Sequence, residues 1–355
     1  MSLREVGGSP GAPWERGLAG SLDRIIVHSE LLEGNPLGDP AVRPLYVYRS
    51  PGVELGSERA VPSVYLLQGF FGQVGEWLAR TSAGPTTIER IDATFASGDC
   101  PPAIVVLVDA WTSRGGSQFR NSTSTGRYLD HICAEVIPFV DARYPTLMAP
   151  EHRGVAGKSS GGYGAMILPM LRPDVFGAFA SHAGDALFEC CYQPLFPRVA
   201  RTLREHFEGS WDVFLERVEA VEDPAELERE PFVSAFATYG TACAYTPDPQ
   251  RPGRALLPFD VATGVPTDEI WAQWLALDPV RMAADHAAAL RGLRRIYLDA
   301  GRRDEFFLDL GASAFSAELT RLRVEHTLEL FDGGHFDMTH RYAGAIRELV
   351  LALGA

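Results

Sequence analysis

Lysine is almost missing from this chain. Of 32 basic residues only Lys158 is not an arginine, and 46 acidic residues bring the formal net charge to -14. A surface with that balance repels a phosphate backbone, so no nucleic-acid partner is expected. Cysteine is sparse as well. The five residues, Cys100, Cys133, Cys190, Cys191 and Cys243, are odd in number and form no C-x-x-C pair. That excludes a disulfide framework or a thiol-based metal motif and makes a reducing cytoplasm the expected location. No run approaches the roughly 18 apolar residues a bilayer span needs, so no membrane contact is expected. An H-E-x-x-H motif and Cys/His clusters are absent, and neither a metal nor an organic cofactor is expected. Residues 1–20 hold Gly and Pro with no apolar run, which reads as a flexible tail rather than a signal peptide.

What is present is apolar patterning. The 355 residues, 46% hydrophobic, can fill one large domain with an insertion, or two domains. Runs rich in Val, Ile, Leu and Tyr at 24–32, 44–49 and 61–67 predict strands separated by Gly/Pro clusters. Residues 103–109 are almost wholly apolar, as in a strand buried on both faces of a parallel sheet. Helical spacing follows at 87–97 and 128–144, then a short strand at 154–156, a helix at 160–171 and a strand at 176–181. From 186 to 290 the rhythm changes to aromatics, charged helical stretches and Pro-rich turns. Strands at 295–299 and 325–331 and a helix at 342–353 then restore the alternation. The expected architecture is an α/β core from 21–185 and 291–355, with a mostly parallel central sheet, helices on both faces and a helical lid insertion at 186–290.

One motif carries chemistry. Gly157-Lys158-Ser159-Ser160-Gly161 fits G-x-S-x-G, between a short apolar strand and a helix. A sharp strand-to-helix turn lifts the serine oxygen clear of the backbone, and small flanking residues let the neighbouring chain pass. The competing phosphate-loop pattern needs a glycine at position 152, where His152 stands.

A serine nucleophile needs a base and an acid that orients it, in the order Ser, acid, His for this motif. His335, on the glycine turn Gly333-Gly334-His335 after the last strand, is the preferred base. His340 reads as a helix residue, and His182 comes too early in the order. Asp304 is the preferred acid, ahead of Asp299, Glu305 and Asp185. The oxyanion donors expected are the N–H groups of Ser160 and Phe70.

Together Tyr65-Leu66-Leu67-Gln68-Gly69-Phe70-Phe71-Gly72, Gly157 to Ala165, Gly301-Arg302-Arg303-Asp304 and Gly333-Gly334-His335 resemble the esterase D-like family of α/β-hydrolases. That group includes S-formylglutathione hydrolases, enterochelin esterases and mycolyltransferases. The resemblance implies the α/β-hydrolase fold, a Ser159–His335–Asp304 triad and a small-molecule ester substrate. Gln68 replaces the family's usual histidine, and the insertion is longer than in compact members. Phe71, Trp111, Gln118, Asn121, Tyr163 and His182 are candidates for the pocket wall. Hydrolysis is the expected reaction. Acyl transfer, thioester cleavage and a non-catalytic binding role on the same fold are the alternatives, and a homo-oligomer is compatible with any of them.

Overall fold

The computed structural model describes residues 3–8, 16–80, 84–220 and 229–354. Its strands are β1 Arg4–Gly8, β2 Ser21–His28, β3 Val42–Arg49, β4 Ser63–Leu67, β5 Ile104–Val108, the two-residue pair β6 Asn121–Ser122 and β7 Gly126–Arg127, β8 Arg153–Lys158, β9 Ala178–His182, β10 Arg295–Gly301 and β11 Thr327–Phe331. All except β6 and β7 join one sheet in the order β1-β2-β3-β5-β4-β8-β9-β10-β11. β1, β2 and β3 pair antiparallel, as do β3 and β5. From β5 to β11 every pairing is parallel. This is the expected α/β-hydrolase arrangement. One correction falls at the N-terminus: residues 4–8, read as part of a loose tail, form an edge strand, while 9–15 lie outside the described residues.

β4 and β5, in the middle of the sheet, are buried at every position because both faces are covered. Alternation decides which residue goes where. Tyr65 and Leu67 point into a core shared with α2 Tyr128–Asp130, the π-helical turn His131–Val136, α3 Ile137–Arg143, α4 Ser160–Leu171 and α12 Leu308–Arg321. Val64 and Leu66 point to the other face, against α1 Thr87–Ala96 and α13 Arg341–Leu353. α1 begins on a reciprocal cap, with the Thr86 hydroxyl accepting from Glu89 N and the Glu89 carboxylate from Thr86 N. Such a cap contributes about 1 kcal/mol.

Between β9 and β10 the described residues form seven further α-helices: α5 Phe188–Cys191, α6 Phe196–His206, α7 Trp211–Ala220, α8 Phe232–Tyr245, α9 Asp268–Leu275, α10 Pro279–Asp285 and α11 Ala287–Arg291. Phe188, Phe214 and Trp274 from these helices are fully buried and belong to the same apolar core as the sheet. α10 and α11 pack directly on α4. The buried Asp278 carboxylate accepts from the backbone N–H of Leu187, Phe188 and Val280, clamping the two ends of this segment together. No helix among the described residues is long and apolar enough to cross a membrane.

Candidate active site

The chemistry sits beyond the carboxyl ends of the parallel strands, where open α/β sheets place their clefts. Ser159 follows β8 directly and opens α4. Its backbone is in the left-handed region, φ 58° and ψ -124°, a strained conformation for a residue with a side chain. Two glycines make the bend feasible. A Cβ on Gly157 would lie 2.4 Å from the Gly161 carbonyl carbon, and one on Gly161 would lie 2.3 Å from the Leu67 oxygen. The Ser159 N–H donates to the His182 carbonyl (3.0 Å) and its carbonyl accepts from Tyr163 N (2.9 Å), fixing the turn on both sides.

His335 arrives from the loop after β11 and Asp304 from the turn after β10. His335 Nδ1 is 2.8 Å from Asp304 Oδ2, and both side chains are buried. The other Asp304 oxygen accepts from the N–H of Phe306 (2.9 Å) and Leu308 (3.3 Å). Glu305 holds the loop instead of the ring, its carboxylate accepting from His335 N at 2.7 Å. The rings of Phe306 and Phe336 stand edge-on to the imidazole. Ser159 and His335 share the walls of one cavity of about 420 Å³, though no hydrogen bond joins the hydroxyl to the ring among the described residues.

The turn after β4 completes the rim. A Cβ on Gly69 would lie 3.8 Å from that of Ser159, so the turn abuts the nucleophile. Phe71 N donates to the Gly115 carbonyl at 2.8 Å and is thereby engaged. Gln68 braces the turn. With its amide oriented to satisfy both ends, it donates to Val108 O (2.8 Å) and accepts from Ala110 N (2.8 Å) and Trp111 N (2.9 Å).

Phe71 and Gln118 line the cavity, but four other pocket candidates do not. Trp111 is held through its backbone, the carbonyl accepting from Arg43 (3.0 Å) and Tyr128 (3.0 Å). The Asn121 side chain instead accepts from Asp130 N, within α2. Tyr163 is fully buried, with its hydroxyl on the Leu277 carbonyl. His182 is also fully buried and pairs with Asp299, Nδ1 to Oδ1 2.7 Å, beside the Tyr342 ring. Proximity in sequence to Ser159 or to a rim loop does not fix where a side chain points: Tyr163 on α4 and His182 on β9 take the directions their helix and strand impose.

The insertion supplies wall residues that no motif marks: Cys191, Tyr192 and Leu195 from around α5, and Val233, Ser234, Ala237 and Thr241 from α8. The helical spacing of the α8 set was the available signal. Lys158 lies behind the site. Burial pushes its ammonium below the ordinary range, against the opposing pull of Glu76, Asp304 and Glu305, and its Nζ sits 5.2 Å from the Phe336 ring centroid. No cluster of metal-binding side chains is found among the described residues.

The family model described as "Putative esterase" matches residues 46–345. Among solved structures, an S-formylglutathione hydrolase from Agrobacterium tumefaciens is similar at 14% identity and a TM-score of 0.58, covering 100% of both chains. A ferulic acid esterase is similar at 17% identity and a TM-score of 0.58, covering 95% of this chain and 99% of its own. A ferulic acid esterase from Anaeromyces mucronatus is similar at 13% identity and a TM-score of 0.54, covering 99% of each chain. At these identities the likeness establishes the fold.

Proposed function

Because this chain belongs to the "Putative esterase" family and is on that ground a carboxylic-ester hydrolase, we propose that it cleaves small-molecule esters by serine catalysis with Ser159, His335 and Asp304. The observation that carries this reading is a convergence. A hydroxyl on a strained bend and an imidazole already oriented by a carboxylate, supplied from distant parts of the chain, face the same cavity.

Asp304 holds His335 with Nδ1 protonated, leaving Nε2 to take the Ser159 proton as Oγ attacks the ester carbonyl. The N–H groups of Phe70 and Ser160 stabilise the oxyanion, and the positive end of α4 adds to that field. His335 then protonates the leaving alcohol. Water, deprotonated by the same ring, releases the acid from the acyl-enzyme. The helices between β9 and β10 act as a cap that walls the acyl or alcohol group. Five free thiols, two of them adjacent at Cys190 and Cys191, fit a reducing cytoplasm.

A fluorophosphonate probe tests the reading. The folded protein should label at Ser159, and nitrophenyl esters should be turned over. A folded protein that neither labels nor turns over supports a binding role instead. Product analysis with competing alcohols separates hydrolysis from acyl transfer, and a matched thioester tests thioester cleavage.

A further inference from the structure

The cavity beside Ser159 is mostly apolar, yet one stretch of its inner wall is not. Gln118 is 1% exposed and Asp185 is 7% exposed, and both line the cavity together with Tyr192. Their hydrogen bonds run in one direction. The Tyr192 hydroxyl donates to Asp185 Oδ2 at 2.7 Å, and Gln118 Nε2 donates to the Tyr192 oxygen at 3.0 Å and, more weakly, to Asp185 Oδ2 at 3.4 Å. The donors of the cluster are thereby engaged. Gln118 Oε1 is left buried with no hydrogen-bond partner, and every bond to Asp185 falls on the same oxygen, Oδ2.

A buried acceptor without a partner costs about 1–3 kcal/mol, so a retained one calls for a water or a ligand group as its partner. The residues that carry these acceptors, Gln118 and Asp185, both line the cavity. The wall also starts next to the reacting centre, because Asp185 N donates to the Ser159 carbonyl at 3.3 Å.

We propose that Asp185, Gln118 and Tyr192 form a specificity subsite that accepts a hydrogen bond from a hydroxyl group on the substrate, a few bonds from the scissile ester. The inference rests on the esterase reading and names the substrate class of that same site: uncharged hydroxy-esters. Carboxylate-bearing esters are disfavoured. The described cavity lining includes no Arg or Lys to pair with one, and Glu230 adds an acidic group. A hydroxyl also fits better than an ammonium. Burial raises the Asp185 carboxyl above its ordinary range against the pull of Tyr192 and Gln118, which weakens it as a fixed anion. A site built to bind a hydroxyl discriminates against the analogue lacking it far more strongly than an apolar pocket discriminates by size, because the loss strands its own buried groups.

The test uses the full chain and paired nitrophenyl alkanoates, with and without a hydroxyl moved along the acyl chain. A second arm moves the hydroxyl along the alcohol of acetate esters, and a third pair carries a carboxylate instead. One hydroxyl position, on the acyl or the alcohol side, should exceed its deoxy partner in kcat/KM by on the order of 100-fold, with the carboxylate ester below both. Gln118→Leu should collapse that ratio to within about fivefold. Asp185→Ala should do the same where thermal melting shows it folded, and Gln118→Leu carries the test where it does not. A wild-type ratio below about threefold at every position, or a ratio unchanged in Gln118→Leu, overturns the subsite. Turnover of unsubstituted esters with no hydroxyl preference sinks the subsite alone. No turnover of any ester, with Ser159 unlabelled, sinks the esterase reading beneath it.

Discussion

Two histidine–aspartate pairs lie close to Ser159, and they differ in almost nothing but their surroundings. His335 and Asp304 meet at 2.8 Å on loops beyond β10 and β11, with the ring on the cavity wall. His182 and Asp299 meet at 2.7 Å on adjacent strands, where register places them side by side. The second pair is wholly buried, its Asp299 also bound by Arg341 at 2.9 Å, and His182 Nε2 has no partner. The pairing geometry is the same, so geometry of the pair alone does not make a base. What separates them is whether the outer nitrogen opens on space that a substrate can occupy. Strand residues at the centre of a sheet have fixed side-chain directions, whereas a glycine-rich loop can aim its ring.

The contrast can be broken by substitution. Ser159→Ala should lower kcat by about a millionfold while leaving the melting temperature nearly unchanged. A small loss would move the nucleophile, with Ser160 the first suspect. Asp304→Asn removes the acceptor that sets the His335 tautomer, and kcat should fall by on the order of 10⁴. If Asp299→Asn in a folded protein costs as much as Asp304→Asn, the assignment of roles to the two pairs is wrong.

His182→Ala should act through stability instead. It strips a buried carboxylate of one partner, at about 3 kcal/mol, read as a lower denaturation midpoint, while the folded fraction still labels with a fluorophosphonate. The smallest effect is in pH. Burial by itself would raise the Asp299 carboxyl, but His182 and Arg341 hold it below its ordinary range. A carboxyl depressed in the folded state contributes stability that is complete above the unfolded-state value, near pH 4, and is lost as pH falls through the folded-state value. Acid unfolding below about pH 4 should therefore be shallower in Asp299→Asn than in wild type, and equal slopes would remove Asp299 from the account.

Much of the frame was legible beforehand. The apolar run at 103–109 became β5, and the helical spacing at 128–144 became a helix interrupted by a π turn. Short-range patterns sufficed there because burial on both faces of a strand, or one face of a helix, is written in consecutive residues. The cavity wall was less legible. Trp111, Asn121, Tyr163 and His182 looked suitable and point elsewhere, whereas Tyr192 and the α8 residues were unmarked and line the space. A wall is built from parts distant in sequence, and each contributes only one or two side chains.

By itself the sequence determined the sharp turn at Ser159, since only small residues at Gly157 and Gly161 let the backbone pass, and it determined the parallel sheet that carries the turn. Tertiary structure decided which imidazole faces open space and what the opposite wall is made of. Those outcomes depend on the direction of side chains brought together by packing, which no local spacing encodes.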